Sequence, residues 1–346
     1  MNMLTKLMTT INLILGTIIT ASSHHWLLAW AGLELNMLAI LTIIMKPKHP
    51  RAAEAAIKYF LTQTIASTMM LFSGTINAMQ TGQWDISQMT DKYACTILLM
   101  AMTMKIGAAP IYFWLPEVMQ GTTTMTALII ASWQKIAPIS LLFMTYNHLP
   151  PKIVMVIGIT STIIGGWGSI NQTQLRKLMA YSSISNLGWT MVIFTISPNM
   201  AMLNIFIYMI MLIPTFMIIK KMLLKTLQDS TTTWTSSPMA NVLFTLMLLS
   251  LSGLPPLTGF TPKLLILNEL VTQNLTPIAT TMAMMSLISL FFYTRTTYIS
   301  TMTTPPITVL MTMKWRLVLP QQKLTSMLIL PSLTTLPLIP ILTSMN

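Results

Sequence analysis

What this chain can fold into is limited above all by its runs of apolar residues, each about as long as a bilayer is thick. A helix of about 20 residues spans the hydrocarbon core, and in lipid every backbone polar group must find its partner inside the segment. Within 346 residues the runs stand at about 3–21, 25–45, 57–79, 93–114, 124–146, 152–170, 175–195, 199–219, 238–270, 276–295 and 324–343. Eleven spanning helices are therefore expected, of which the ninth is too long to be a single straight one. Hydrophobic residues make up 53% of the chain and charged ones 8%, where a soluble domain carries roughly 25% charged. The mean hydropathy is +0.69. These values describe an all-α integral membrane protein.

The same composition removes whole classes of chemistry. Cys95 is the only cysteine, which leaves no internal disulfide, no Cys-x-x-Cys metal site and no iron–sulfur ligand set. The four histidines, His24, His25, His49 and His148, lie at span ends or in loops. No His-Glu-x-x-His, phosphate-binding loop or Gly-x-Gly-x-x-Gly is present, so no metal, nucleotide or flavin is expected in this chain. The net charge of +12 does not point to nucleic acid, because the basic residues sit in short loops between apolar runs. It reads as orientation. One side collects Lys6, Lys46, Lys48, Arg51, Lys58, Arg176, Lys177, Lys220, Lys221, Lys225, Arg295, Lys314, Arg316 and Lys323, and the other only Lys92 and Lys152. By the positive-inside rule the N-terminus lies on the positive side, and an odd number of spans puts the C-terminus opposite.

Three lysines remain, and all fall inside apolar runs: Lys105 and Lys135 near mid-span, and Lys263 after the Gly/Pro cluster of the ninth run. A charge at the bilayer centre costs roughly 2.5 to 3.5 kcal/mol on insertion scales, so such residues are expected to do work. Glu34 is the only acid in the middle of a span. It reads either as a carboxyl kept protonated by its surroundings or as the partner of Lys105, each offsetting the other's desolvation. Lys135 has no acid in its own span, and a lysine, unlike an arginine, can load and release a proton. For Lys263 the alternative is an amine that snorkels to an interface. In the seventh run Tyr181, Ser182, Ser183 and Ser185 are candidates to line a wet path, or to make plain interhelical hydrogen bonds. Glu117 precedes a polar Gly-Thr-Thr-Thr turn and reads as a solvated loop acid.

An internal repeat accompanies these charges. Gly107, Pro110, Pro116 and Glu117 stand at the same spacing as Gly253, Pro256, Pro262 and Lys263, 146 residues apart, with Pro255 beside the second copy. The copies lie five spans apart and so cross the membrane in opposite directions. The expected plan is two inverted five-helix repeats, about 1–146 and 152–295, each with one broken helix, followed by a C-terminal helix at about 324–343. Many transporters build a mid-membrane ion site from broken helices in inverted repeats. In the sixth run, Ser161 with Gly165 and Thr162 with Gly166 suit close helix packing, and Pro138 and Pro214 are expected to kink the fifth and eighth helices.

The segments WAGLELN around Glu34, KIGAAPIYFWLPE around Lys105, WQK at Lys135, LMAYSSISNLG in the seventh run and SGLPPLTGFTPK ending at Lys263 together resemble the antiporter-like subunits of respiratory complex I. The resemblance covers essentially the whole chain. It implies a proton-translocating subunit of the membrane arm, with NADH to ubiquinone electron transfer done by other subunits that carry the FMN and iron–sulfur clusters. It implies Glu34 and Lys105 as a coupling pair, Lys135 as central relay and Lys263 as distal site. Neighbouring antiporter-like subunits and phospholipid are the partners it implies. The 34 methionines spread through the chain resemble the bias of animal mitochondrial genomes, which implies the mitochondrial inner membrane, N-terminus in the matrix and C-terminus in the intermembrane space. A free-standing cation/proton antiporter would share these motifs, and a non-transporting scaffold of the membrane arm is the third reading.

Overall fold

The computed structural model describes residues 3–236 and 238–302, with Ile329 and Ser332. The expected C-terminal helix, and Lys314, Arg316 and Lys323, lie outside the described residues. Within them the ordered elements are helical. They run α1 (Met3–Ser22), α2 (Trp26–Ile44), α3 (Pro50–Thr81), α4 (Lys92–Ile106), α5 (Trp114–Gly121), α6 (Thr124–Ala131), α7 (Trp133–Thr145), α8 (Pro151–Ile170), α9 (Leu175–Phe194), α10 (Pro198–Lys221), α11 (Leu227–Ser236), α12 (Pro238–Ser252), α13 (Phe260–Thr272) and α14 (Thr276–Met302), with one 3-10 turn at Tyr146–His148.

Local chemistry sets the helix ends. His25 and His49 begin α2 and α3, each ring accepting at Nδ1 the backbone N–H two residues on, at 3.2 Å. Pro50 opens α3, where its missing N–H costs nothing. Two of the four histidines are thus spent on caps. Asp91 caps α4, Oδ2 accepting from the Ala94 N–H at 3.0 Å, as short polar side chains commonly do. Asp229 does the same for the short α11, which the apolar pattern gave no reason to expect, by accepting from the Lys225 and Thr226 N–H groups at 2.9 and 2.8 Å.

Among the described helices, α1, α2, α8, α10, α14 and the stretch Thr124–His148 are long and apolar enough to cross a membrane. The others fall short for visible reasons. α3 opens on Arg51, Glu54 and Lys58, α9 is rich in hydroxyl and amide side chains, and α4, α5, α12 and α13 are the pieces of two interrupted spans. The outward faces are apolar. Leu7, Ile14 and Ile18 on α1, for example, are 53%, 48% and 56% exposed, a surface suited to lipid or another apolar helix.

Both interruptions have the same construction. α4 and α12 are each 15 residues long, and each ends on a glycine, Gly107 or Gly253, with φ +83°. Glycine takes this left-handed region freely, and other residues take it at a cost. Gaps of equal length, 107–113 and 253–259, then lead to α5 and α13. Pro116 and Pro262 occupy the third position of those helices, within the first turn, where a missing N–H breaks no helical hydrogen bond.

A further interruption falls where no proline or glycine announces it. The fifth run is divided at Ser132, with φ −110° and ψ −81°, while Pro138, the expected kink, remains inside α7. A proline ring presses on the carbonyl four residues back and cannot donate to it. That carbonyl belongs to Gln134, still inside α7, and at the break itself Ser132 Oγ donates to the Leu128 carbonyl at 2.6 Å.

The described residues form two compact units, those up to Ser161 with Phe194–Pro198, and Thr162–Ile193 with the described residues from Asn199 onward. The boundary falls inside α8. In the second unit a side chain at Gly165 would strike the Ser185 backbone nitrogen at 2.6 Å, and one at Gly166 the Ile288 side chain at 3.2 Å. These glycines of α8 let α9 and α14 come close.

Candidate functional site

In the first unit the buried polar residues gather around α3, which packs on α2, α4 and α5. Tyr59, Gln63 and Ser67 recur every four residues along one face of α3, at 0%, 1% and 3% exposure. That spacing places them in one stripe. Gln63 Nε2 donates to the Lys105 carbonyl at 3.4 Å, reaching α4. Gln134 Nε2, from α7, donates to the Tyr59 hydroxyl at 2.8 Å. The Trp114 ring of α5 lies edge-on to Tyr59, with centroids 5.9 Å apart and planes at 60°, and Trp114 Nε1 donates to the Met104 carbonyl at 3.1 Å. Three helices, α3, α5 and α7, thus meet at Tyr59, and α4 joins the cluster through Gln63 and Trp114.

Lys105 and Lys135 border this cluster, each 3% exposed. Their settings differ. Lys105 is in the last turn of α4, whose end carries a partial negative charge, although its carbonyls at Thr103, Met104 and Lys105 already accept hydrogen bonds. Lys135 is the third residue of α7, just past the Ser132 break, and a helix start carries the opposite partial charge. Glu34, on α2, is half-buried. It makes no ion pair with Lys105 within 4 Å, and α3 packs on both α2 and α4. The pair expected from the sequence is therefore not a contact pair.

Glu117 is exposed, as its reading as a solvated acid expects, but it lies in α5 and not in a loop, and it has a partner. Its Oε2 lies 2.7 Å from Lys58 Nζ, and Lys58 also pairs with Glu54 one turn back on α3. The Lys58 ammonium, hydrogen-bonded to Glu54, holds that carboxyl below its usual range. One turn on from Glu117, a side chain on Gly121 would strike Ala55 Cβ and the Arg51 carbonyl, both at 2.7 Å. The half-helix α5 is thereby fastened to the start of α3.

In the second unit Lys263 is 8% exposed, and its Nζ donates to the Ser252 carbonyl at 2.7 Å. That carbonyl ends α12, so the amine closes the break from the far side as a cationic C-cap. Nζ also lies 6.0 Å from the centroid of the Trp189 ring. It does not snorkel. Ser182, Ser183 and Ser185 donate to carbonyls of their own helix at 2.7, 2.7 and 2.8 Å. Ser182 and Ser183 face the Tyr208 hydroxyl, and Ser182 faces that of Tyr293. Ser185 lies against Gly165 and Tyr181 against Gly168. Ser182 and Ser183 thus border a buried pair of tyrosine hydroxyls.

Sequence reasoning passed over Tyr59, Gln63 and Gln134. The available signal was the polar stripe at every fourth residue of an otherwise apolar run, together with an amide adjacent to a buried lysine.

Comparison with known proteins adds the following. The family described as NADH:quinone oxidoreductase/Mrp antiporter, TM, matches residues 23–289, and that described as NADH dehydrogenase subunit 2 C-terminus matches 290–343. NADH-ubiquinone oxidoreductase chain 2 of Varanus baritji is 49% identical over 343 residues, 99% of each chain. The protein of that name from Coturnix japonica is 47% identical over 345 residues, covering both chains completely. Among solved structures, a chain of respiratory complex I from Thermus thermophilus is similar with a TM-score of 0.79 at 22% identity, over 94% of this chain and 75% of that one. A chain of the Mrp complex from Dietzia gives 0.77 at 16% identity, over 88% and 61%.

Proposed function

The chain belongs to the NADH:quinone oxidoreductase/Mrp antiporter family, and from that membership we propose that it is a proton-translocating subunit in the membrane arm of respiratory complex I. Full-length relatives at about half identity bear the name of a complex I chain, which favours this reading over a free-standing cation/proton antiporter. The observation that carries the mechanism is that three lysines, each less than a tenth exposed, all stand at helix interruptions. A helix broken at mid-membrane offers unpaired backbone dipoles to an ion. Lys105 stands in the last turn of α4, Lys135 and Lys263 stand in the first turns of α7 and α13, and Lys263 Nζ reaches back to the last carbonyl of α12.

Protons enter this scheme through Glu34 and Lys105, are relayed at Lys135 and leave through Lys263. Each proton works against roughly 2.3 kcal/mol per 100 mV, so the lysines must alternate between charged and neutral states. Tyr181, Ser182, Ser183 and Ser185 lie beside this route in a supporting role, Ser182 and Ser183 offering lone pairs to water. NADH oxidation, FMN and the iron–sulfur clusters belong to other subunits, and the partners are neighbouring antiporter-like subunits and phospholipid. Eleven spans in two inverted repeats, about 1–146 and 152–295, complete the proposal. It is supported by the matched breaks at 107–113 and 253–259 and by the shared φ of Gly107 and Gly253.

A double-mutant cycle tests the coupling pair. Glu34→Gln removes the acid proposed as partner of Lys105, and Lys105→Met removes the carrier. Each alone is expected to weaken pumping and NADH:ubiquinone activity in the assembled complex, with Lys105→Met at least as severe. The double variant is expected to cost much less than the sum, since coupled groups are not additive. Strictly additive losses would show two independent residues, and full activity of assembled Lys105→Met would reduce this lysine to packing.

The orientation, N-terminus in the matrix of the mitochondrial inner membrane and C-terminus in the intermembrane space, rests on the loop charges. Labelling reagents are expected to reach residues 45–51 from the matrix and 147–152 from the other face. Access to both from one face would refute it.

A further inference from the structure

We infer that the Tyr59 hydroxyl is itself a proton carrier, handing protons between the Glu34–Lys105 side of the first unit and Lys135, with Gln134 as the residue that positions it. The inference deepens the proton-translocating reading and rests on it. Tyr59 is wholly buried and stands where α3, α5 and α7 meet, its ring held edge-on by Trp114. Its hydroxyl oxygen accepts from Gln134 Nε2 at 2.8 Å, and Gln134 is the chain neighbour of Lys135. Gln63, one turn along the same face, reaches the Lys105 backbone.

The hydrogen-bond inventory decides what this arrangement can do. Gln134 can only donate through Nε2, so the bond uses one lone pair of the tyrosine oxygen and leaves its own O–H free to donate. The Gln134 Oε1 beside it is buried without a hydrogen-bond partner. Buried polar atoms without partners are costly, and a free O–H next to a free amide oxygen is a site for a bridging water. A hydroxyl that can accept a proton on its second lone pair while releasing its own passes a proton with no net change in its charge. The O–H bond that breaks and the one that forms are on the same oxygen. Gln134 carries no proton and fixes the oxygen in place.

The test uses membranes bearing the assembled complex with Tyr59→Phe, which keeps the ring and the Trp114 contact and deletes the hydroxyl. Expected are wild-type assembly, a fall in proton-coupled NADH:ubiquinone turnover on the order of a hundredfold, the low end of what a positioned proton carrier contributes, and a changed H2O/D2O rate ratio. Gln134→Leu is expected to give a smaller loss with the same change in isotope ratio. It carries the test alone if Tyr59→Phe does not assemble. An assembled variant with unaltered turnover and isotope ratio overturns the inference. Lys135→Met in parallel separates the two levels: inactive Lys135→Met beside fully active Tyr59→Phe sinks only the tyrosine relay, whereas full activity in both sinks the proton-translocating reading as well.

Discussion

Lys135→Met is expected to assemble and to lose proton-coupled turnover, on the order of a hundredfold. Assembly should survive because methionine matches the apolar stem of lysine and adapts to irregular packing, and because it asks nothing of the positive helix end behind Ser132. Turnover should not survive, because a relay needs a group that takes up a proton and gives it up, and methionine has none. Lys135→Arg sharpens the point. Arginine keeps the charge and much of the length but does not deprotonate in proteins, so a structural cation would be rescued by it and a proton carrier would not. Both variants are read by NADH:ubiquinone turnover and proton uptake in the assembled complex. Turnover near wild type in Lys135→Arg would make Lys135 a fixed charge.

The contrast between Lys105 and Lys135 marks how far the sequence could be read. That both lysines are buried was legible, because apolar residues surround them on either side in the chain. That one lies on a negative and the other on a positive helix end was not. It depends on the break at Ser132, which contains neither glycine nor proline. The breaks at Gly107 and Gly253 were legible, since a glycine followed by a proline at the third position of the next helix is locally encoded. Contacts distant in the chain were beyond reach. Nothing in the run around Glu117 indicates Lys58, 59 residues earlier, and nothing around Glu34 indicates that α3 packs on both its helix and that of Lys105. Those facts are properties of packing, and they give an exposed acid a lysine partner and keep Glu34 and Lys105 from direct contact.

Gly253→Ala should impair the protein through two separable effects. The first is backbone: φ +83° costs a residue with a β-carbon about 1–2 kcal/mol. The second is specific to this break, because the added methyl would lie 3.0 Å from Lys263 Nζ, 3.1 Å from Cδ and 3.2 Å from Cε. A lysine side chain gives way more readily than backbone, so Nζ is expected to leave the Ser252 carbonyl, uncapping α12 and moving the amine that the mechanism needs. Gly107→Ala is the internal control. It has the same φ, but its methyl would meet Trp114 and Leu115 carbons at 3.3 and 3.4 Å and would touch no charge. The two variants should therefore lose similar thermal stability in the assembled complex, while Gly253→Ala loses far more proton translocation per electron. Equal pumping by both would mean that the hold of Lys263 on the end of α12 is only a cap, and that the distal proton site must be sought elsewhere in the chain.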